Sequence, residues 1–346
     1  MRIAIDAMGG DYAPASIIEG AVSAVKEYGV SVILVGQEPL IAAELRKVLP
    51  KGDPRITIQH AEQVVNMDDI PSHIIRGKRR SSIHVGLKLV KDASASAFYS
   101  AGNTGAVMAT AMLTLRNLEG INRPAIATVL PSVKGHFVML DVGANVDSKP
   151  ENYLHFAIMG SAYAKSVLHI ETPSVGLLSI GEEDIKGNEI TKTVFALLKN
   201  CKAINFVGNV EAKEMYKGKA DVIVCDGFVG NIALKTSESV AVFIVTLLKQ
   251  ALSKSLLSKL GAILMLSGLK WLRKRVNPEE YGGAPLLGVG GICIIGHGSS
   301  SAFAVKNAVR VAIEMIKHDI NSSIETDVSN SFSLLKDVEE KQGEVC

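Results

Sequence analysis

Short runs rich in β-branched residues alternate with amphipathic stretches along most of this 346-residue chain, and that alternation limits the folds open to it. The runs are Ile3 to Ile5, Val30 to Val35, Ile56 to His60, Ala95 to Tyr99, Ile126 to Leu130, His136 to Asp141, Ser174 to Ser179, Asn205 to Val207, Val222 to Cys225 and Gly291 to Ile295. Helical periodicity fills intervals between them, as in Ala15 to Tyr28, Ser82 to Lys91, Glu151 to Val167 and Phe303 to Lys317. The pattern predicts an α/β fold, a three-layer α/β/α wound sheet with helices on its faces. In such a sheet ligands sit beyond the carboxyl ends of the strands, so the turns after the strands are where chemistry is expected.

Six polar, glycine-bearing turns occupy those positions: Asp6 to Asp11, Ser100 to Gly105, Asp141 to Asp147, Gly181 to Asn188, Asp226 to Asn231 and Gly296 to Ser300. Each alone could be a tight connection closed by an Asx or glycine cap; together they are expected to converge on one sheet edge. The turn in Tyr99-Ser-Ala-Gly-Asn-Thr-Gly-Ala106 is the most specific. It sits where a helix begins, so backbone N–H groups and the positive helix end point outward, and Gly102 and Gly105 let an anion approach. Asn103 and Thr104 add small polar side chains. The upstream run Arg76-Gly-Lys-Arg-Arg-Ser-Ser82 could supply charge through Arg79 and Arg80 and hydroxyls through Ser81 and Ser82, or be a solvated helix start. Asn145, in the Asp141 turn, belongs to the same candidate phosphate-binding set.

Three residues in other turns are candidates for catalysis. Lys186 is the cation amid Glu182, Glu183 and Asp184. It could neutralise a phosphate or the oxyanion of an acyl-transfer intermediate, or belong to a surface ion cluster. Asn231 follows Gly230 at the start of a helix and could cap it or donate its amide to the same oxyanion. His297, between glycines, could hydrogen-bond a leaving group or be structural.

No GxSxG, HExxH, GxxxxGK[ST] or strand-embedded GxGxxG occurs, which removes the strongest signals for serine hydrolases, zinc proteases, P-loop enzymes and standard dinucleotide binders. Carboxylates at Asp6, Asp11, Asp141, Asp147 and Asp226 lack a metal-binding spacing, so neither metal nor cofactor is expected. A net charge of +2 with dispersed Lys and Arg, and only 5% aromatic residues, argue against a nucleic-acid partner. Cys201, Cys225, Cys293 and Cys346 are far apart, as suits reduced thiols, and the N-terminus turns acidic at Asp6 without the apolar stretch of a signal peptide. A cytoplasmic protein is expected.

No acidic residue lies between Glu238 and Glu279, where Leu-rich sequence is punctuated by Lys and Arg. The charge-free core, Leu260 to Leu269, is about half of a membrane span. This insertion, about 240–280, reads as an amphipathic surface element whose Leu256, Leu260, Ile263, Leu264 and Trp271 meet lipid, a second copy of the chain, or both. The expected organisation is one unit over 1–320 that includes the insertion, followed by a polar tail over 321–346.

The chain resembles the bacterial phosphate acyltransferases of phospholipid synthesis, the PlsX family, from Met1 to about Ile316. The segments that carry the resemblance are Ile5-Asp-Ala-Met-Gly-Gly-Asp11, Arg76 to Ser82, Ser100 to Ala106, Leu140 to Asn145, Ser179 to Glu183 with Lys186-Gly187, Asp226 to Asn231 and Tyr281 to Gly288. Gly290 departs from it, standing where the family often has Asn. The resemblance implies an isocitrate/isopropylmalate dehydrogenase-like fold and a homodimer. It implies transfer of a fatty acyl chain from acyl carrier protein to inorganic phosphate, giving acyl phosphate for phosphatidic acid synthesis. It places the protein at the inner face of the cell membrane, upstream of a glycerol-3-phosphate acyltransferase. Lys186 and Asn231 match the family and are the first candidates for the oxyanion, with His297 nearby. A decarboxylating NAD-dependent dehydrogenase of the same fold and a non-catalytic membrane scaffold are the competing readings.

Overall fold

The computed structural model describes residues 1–343, without the side chains at 256, 260, 262, 273, 274, 276, 278 and from 332 onward. Its strands are β1 (Arg2–Asp6), β2 (Ser31–Gly36), β3 (Ile56–His60), β4 (Ala97–Ser100), β5 (Ala125–Ser132), β6 (Gly135–Leu140), β7 (Ser174–Ser179), β8 (Asn205–Glu211), β9 (Val222–Val224), β10 (Ala284–Leu287) and β11 (Ile292–Ile295). The helices are α1 (Ala15–Tyr28), α2 (Glu38–Val48), α3 (Pro71–Gly77), α4 (Ser82–Lys91), α5 (Thr104–Leu115), α6 (Pro150–Leu168), α7 (Glu189–Asn200), α8 (Gly227–Ser253), α9 (Leu256–Leu264), α10 (Leu266–Val276), α11 (Ala302–Lys317) and α12 (Ile320–Gly343).

All the strands join one sheet in the order β3-β2-β1-β4-β11-β10-β5-β6-β9-β7-β8. Alternating strand residues feed two cores, one on each face: Ile3, Ile5, Val32, Leu34 and Tyr99 enter the first, and Ala4, Ile33, Val35 and Phe98 the second. Helices α1, α6 and α11 cover the first face, and α4 and α5 the second. The chain is thus an α/β protein with a large mixed sheet flanked by helices.

The mixed character corrects the expectation that the six turns converge on one edge. Strands β3, β2, β1, β4 and β11 run parallel, and β6, β9, β7 and β8 run parallel. Between the two sets, β10 pairs antiparallel with β11 and with β5, and β5 pairs antiparallel with β6. Three reversals set the two groups in opposite directions. The turns after β1, β4 and β11 therefore leave one border of the sheet, and those after β6, β7 and β9 leave the other.

The tail also differs from expectation. Ile320, Ile324 and Val328 recur every four residues on one face of α12 and are buried in the first core, with Ser331 buried below them. The first turns of α12 are therefore packed on the body rather than set apart from it as a polar tail, because an i, i+4, i+8 apolar stripe survives in an otherwise polar sequence. The insertion departs too, since its first helix begins at Gly227. Helix α8 has an apolar segment long enough by length and composition to cross a membrane, and none of that segment is buried.

Candidate functional site

At the first border the three turns are tied together around a buried carboxylate. Asp6, at the end of β1, accepts a hydrogen bond from Ser100 Oγ at 2.7 Å, and Ser100 Oγ in turn accepts from the Gly102 N–H at 3.1 Å. Ser82 donates to the same carboxylate, and the Met8 N–H donates to Asp6 Oδ1 at 3.0 Å. Burial raises the Asp6 pKa above the ordinary value, against the opposing pull of those three donors and the Gly9 N–H, among which Ser82 and Ser100 lead. The turns touch directly: a Cβ on Gly9 would lie 2.7 Å from the Gly102 nitrogen, so only glycine fits there. The Asp11 N–H donates to the Gly298 carbonyl at 2.7 Å and brings in the third turn.

Part of the expected anion cradle is thus filled by the protein's own anion. Asn103 is a cap and a clamp. Its Oδ1 accepts from the Ala106 N–H at 2.9 Å, and its Nδ2 donates to the carbonyls of Met67 at 2.8 Å and Asp69 at 3.0 Å. Asn103→Ala should cost about 1–2 kcal/mol through the lost cap, read as a lower urea midpoint with unchanged slope. The N–H groups of Thr104 and Gly105 keep no partner among the described residues, so a two-donor anion corner remains at the start of α5.

The basic run contributes less than its sequence suggests. Lys78 pairs with Asp69, and Arg80 with Glu62 at 2.8 Å on the surface. Arg79 is exposed and has no ion pair among the described residues, so it stays free to attract an anion. Ser81 is buried as the N-cap of α4, accepting from the His84 N–H, whereas Ser82 reaches Asp6. His297 is exposed, and its Nδ1 accepts from the Ser299 N–H at 3.2 Å and lies 2.7 Å from the Ser299 hydroxyl.

A second buried carboxylate organises the other border. Asp141 Oδ1 accepts from the N–H groups of Ile126, Gly143 and Ala144 at 3.0, 3.2 and 3.0 Å. Its Oδ2 accepts from the N–H and the side-chain amide of Asn145 at 2.6 and 2.9 Å. Burial pushes the Asp141 pKa up while these donors pull it down. Asn145 also donates to the Pro124 carbonyl at 2.8 Å, so its amide is a structural tie rather than a free phosphate ligand. Asp226 caps α8 by accepting from the Val229 N–H at 2.7 Å and accepts from the Tyr153 hydroxyl at 3.0 Å. Gly230 packs so tightly on this turn that a Cβ there would lie 2.0 Å from the Asp141 carbonyl oxygen.

Asp226 holds the cap, so capping does not explain Asn231. The Asn231 side chain is exposed beside Gly143, its Cβ 3.8 Å from where a Gly143 Cβ would stand, and its amide has no partner among the described residues. Lys186 is similarly uncommitted. Of its three carboxylate neighbours, Asp184 pairs with Lys199 at 2.9 Å and Glu182 with Lys219 at 3.1 Å. Only Glu183 faces Lys186, at a loose 4.0 Å. Since β7 and β9 are parallel neighbours, the segments carrying Lys186 and Asn231 leave the same border of the sheet from adjacent strands.

The insertion candidates are split. The side chains of Leu256 and Leu260 lie outside the described residues, whereas Ile263, Leu264 and Trp271 are exposed on α9 and α10. Asp6 and Asp141 were visible in sequence only as acids ending strands, and their role as hubs depends on burial. Among the described residues, His169, Glu314 and His318 are the cluster with metal-ligating atoms close together, at the ends of α6 and α11 and away from both turn sets.

The fold is shared with acyl-transferring enzymes. A phosphotransacetylase from Streptococcus pyogenes superposes with a TM-score of 0.59 at 16% identity, over 95% of this chain and 94% of that one. A branched-chain phosphotransacylase from Enterococcus faecalis V583 gives 0.53 at 13% identity, over 91% and 99%. Sequence relationship is closer elsewhere. The chain is 50% identical to a phosphate acyltransferase of Pelotomaculum thermopropionicum over 94% of its length and 96% of the relative's, and 50% identical to one of Halothermothrix orenii over 95% and 99%. Residues 1–323 match the family described as fatty acid synthesis protein, and the chain belongs to that family.

Proposed function

We propose that this protein transfers a fatty acyl group from acyl carrier protein to inorganic phosphate, giving acyl phosphate for phospholipid synthesis. Acyl transfer to phosphate follows from membership of the family and from relatives named phosphate acyltransferase. The carrier-bound donor is the added step. The observation that carries the mechanism is that Lys186 and Asn231, in the segments that follow the paired strands β7 and β9, are uncommitted while their polar neighbours are engaged.

Phosphate is anionic at neutral pH and needs no enzyme nucleophile to activate it. A phosphate oxygen attacks the thioester carbonyl, and the carbonyl oxygen becomes an oxyanion. The Lys186 ammonium and Asn231 amide donate to that oxygen, and the carrier thiolate leaves as the intermediate collapses. The Thr104 and Gly105 N–H corner, with Arg79 nearby, offers a site for an anion, either inorganic phosphate or the carrier's phosphopantetheine phosphate. His297, at that same border, lies apart from the Lys186 turn and serves the anion corner rather than the oxyanion. A homodimer would let the two borders of different copies face one substrate. Carrier thiol should be released only when acyl carrier protein thioester and phosphate are both present. Phosphate-independent release would make the protein a thioesterase instead, and a thioester left intact with phosphate present would defeat the proposal.

The same proposal includes an isocitrate/isopropylmalate dehydrogenase-like fold and a cytoplasmic protein bound peripherally to the inner face of the membrane, where a glycerol-3-phosphate acyltransferase would take its product. Exposed Ile263, Leu264 and Trp271, flanked by cationic sequence, support lipid contact. Ile263→Glu with Leu264→Glu should abolish sedimentation with anionic vesicles while soluble turnover persists. Retained sedimentation would assign this surface to contact between copies.

A further inference from the structure

A cavity of about 470 Å³ opens between the β5–β6 hairpin, α6, α10 and α11, away from Lys186 and Asn231. That is within the size range of small-ligand sites. One wall is aliphatic, from Val129, Val167, Leu168 and Val311, and the rings of Trp271 and Tyr281 add to it.

The other lining is cationic. Arg275 donates through Nη2 to the carbonyls of Ser132 at 2.9 Å and Val133 at 3.3 Å, and its guanidinium lies 5.5 Å from the Trp271 ring. Arg310 donates through Nη2 to the Glu280 carbonyl at 2.9 Å. These bonds fix the two guanidiniums by backbone carbonyls, and neither has an ion pair with a carboxylate among the described residues. Glu280 supplies the one carboxylate in the lining, so the charge balance there is positive. Burial and then Arg275 lower the His136 pKa, which makes that imidazole a neutral hydrogen-bonding group. Tyr163 lines the cavity although only 1% exposed, and its hydroxyl has no partner among the described residues. Two fixed cations and the Tyr163 hydroxyl beside an aliphatic wall suit a ligand with an anionic head and an apolar tail.

We propose that this cavity is a second binding site, for a single-chain amphiphile whose carboxylate or phosphate head meets Arg275, Arg310 and Tyr163 and whose chain lies along Val129, Val167 and Leu168. The site is independent of the acyl-transfer centre. Because Trp271 and Arg275 belong to α10, an occupied cavity ties that helix to the body of the protein.

Calorimetry with dodecanoate and dodecyl phosphate on the full chain tests this. Both should bind, and dodecanol should bind at least about tenfold more weakly, the scale of one charge-assisted hydrogen bond. Arg310→Gln should weaken dodecanoate about tenfold, and Tyr163→Phe measurably, with thermal unfolding confirming that each variant folds. Lys186→Ala should leave dodecanoate binding unchanged, whatever it does to turnover. Inorganic phosphate alone should not displace dodecanoate, and binding to anionic vesicles should survive Arg310→Gln, which separates a free chain from a free anion or a bilayer headgroup. Dodecanol binding as tightly as dodecanoate, dodecanoate binding indifferent to both cavity variants, or its loss in Lys186→Ala would each overturn the proposal.

Discussion

Lys186→Ala should lower the rate of acyl phosphate formation about 100- to 1,000-fold, the usual consequence of removing one donor to a developing oxyanion. The folded state should hardly change. Lys186 is half exposed and its one ion pair among the described residues is the 4.0 Å contact with Glu183, so little stability rests on it. The effect should appear in kcat more than in KM, because the ammonium is invoked for charge that exists only in the transition state. Equal loss in KM alone would assign Lys186 to ground-state phosphate binding.

Asp141→Asn should be the most destabilising of the single changes considered, by about 3 kcal/mol or more. The Asp141 carboxylate accepts five hydrogen bonds, from Ile126, Gly143, Ala144 and both nitrogens of Asn145. An amide in its place turns one acceptor into a donor facing donors, inside a fully buried position. The melting temperature should drop by roughly 5 °C. Asp147→Asn, in the same turn but exposed, should stay within about 0.5 kcal/mol of the parent. Matching losses in the two variants would show that the turn tolerates no charge change and that burial of Asp141 is not the cause.

The strands were legible because each is a short β-branched run ended by a polar turn. Strand β10 was not, since Ala-Pro-Leu-Leu lies between Gly282-Gly283 and Gly288 and reads as a loop. Its antiparallel pairing, and that of the β5–β6 hairpin, reverse the sheet, and pairing direction depends on contacts far apart in sequence. This is why the six turns could be found but their division between two borders could not. Site residues show the same limit. Asp226 and Asn231 are both good caps by type, and only the 2.7 Å bond from Val229 decides that Asp226 caps α8 and frees Asn231. Asn103 and Asn145 fit an anion site by composition, yet their amides are spent on carbonyls and on Asp141.

The most direct test of acyl transfer from carrier thioester to phosphate is to trap the product with hydroxylamine after incubating the protein with acyl carrier protein thioester and inorganic phosphate. Acyl hydroxamate should form in proportion to phosphate, and nearly vanish with Lys186→Ala. Thioester consumption that yields free fatty acid and no hydroxamate beyond the enzyme-free control would contradict the account.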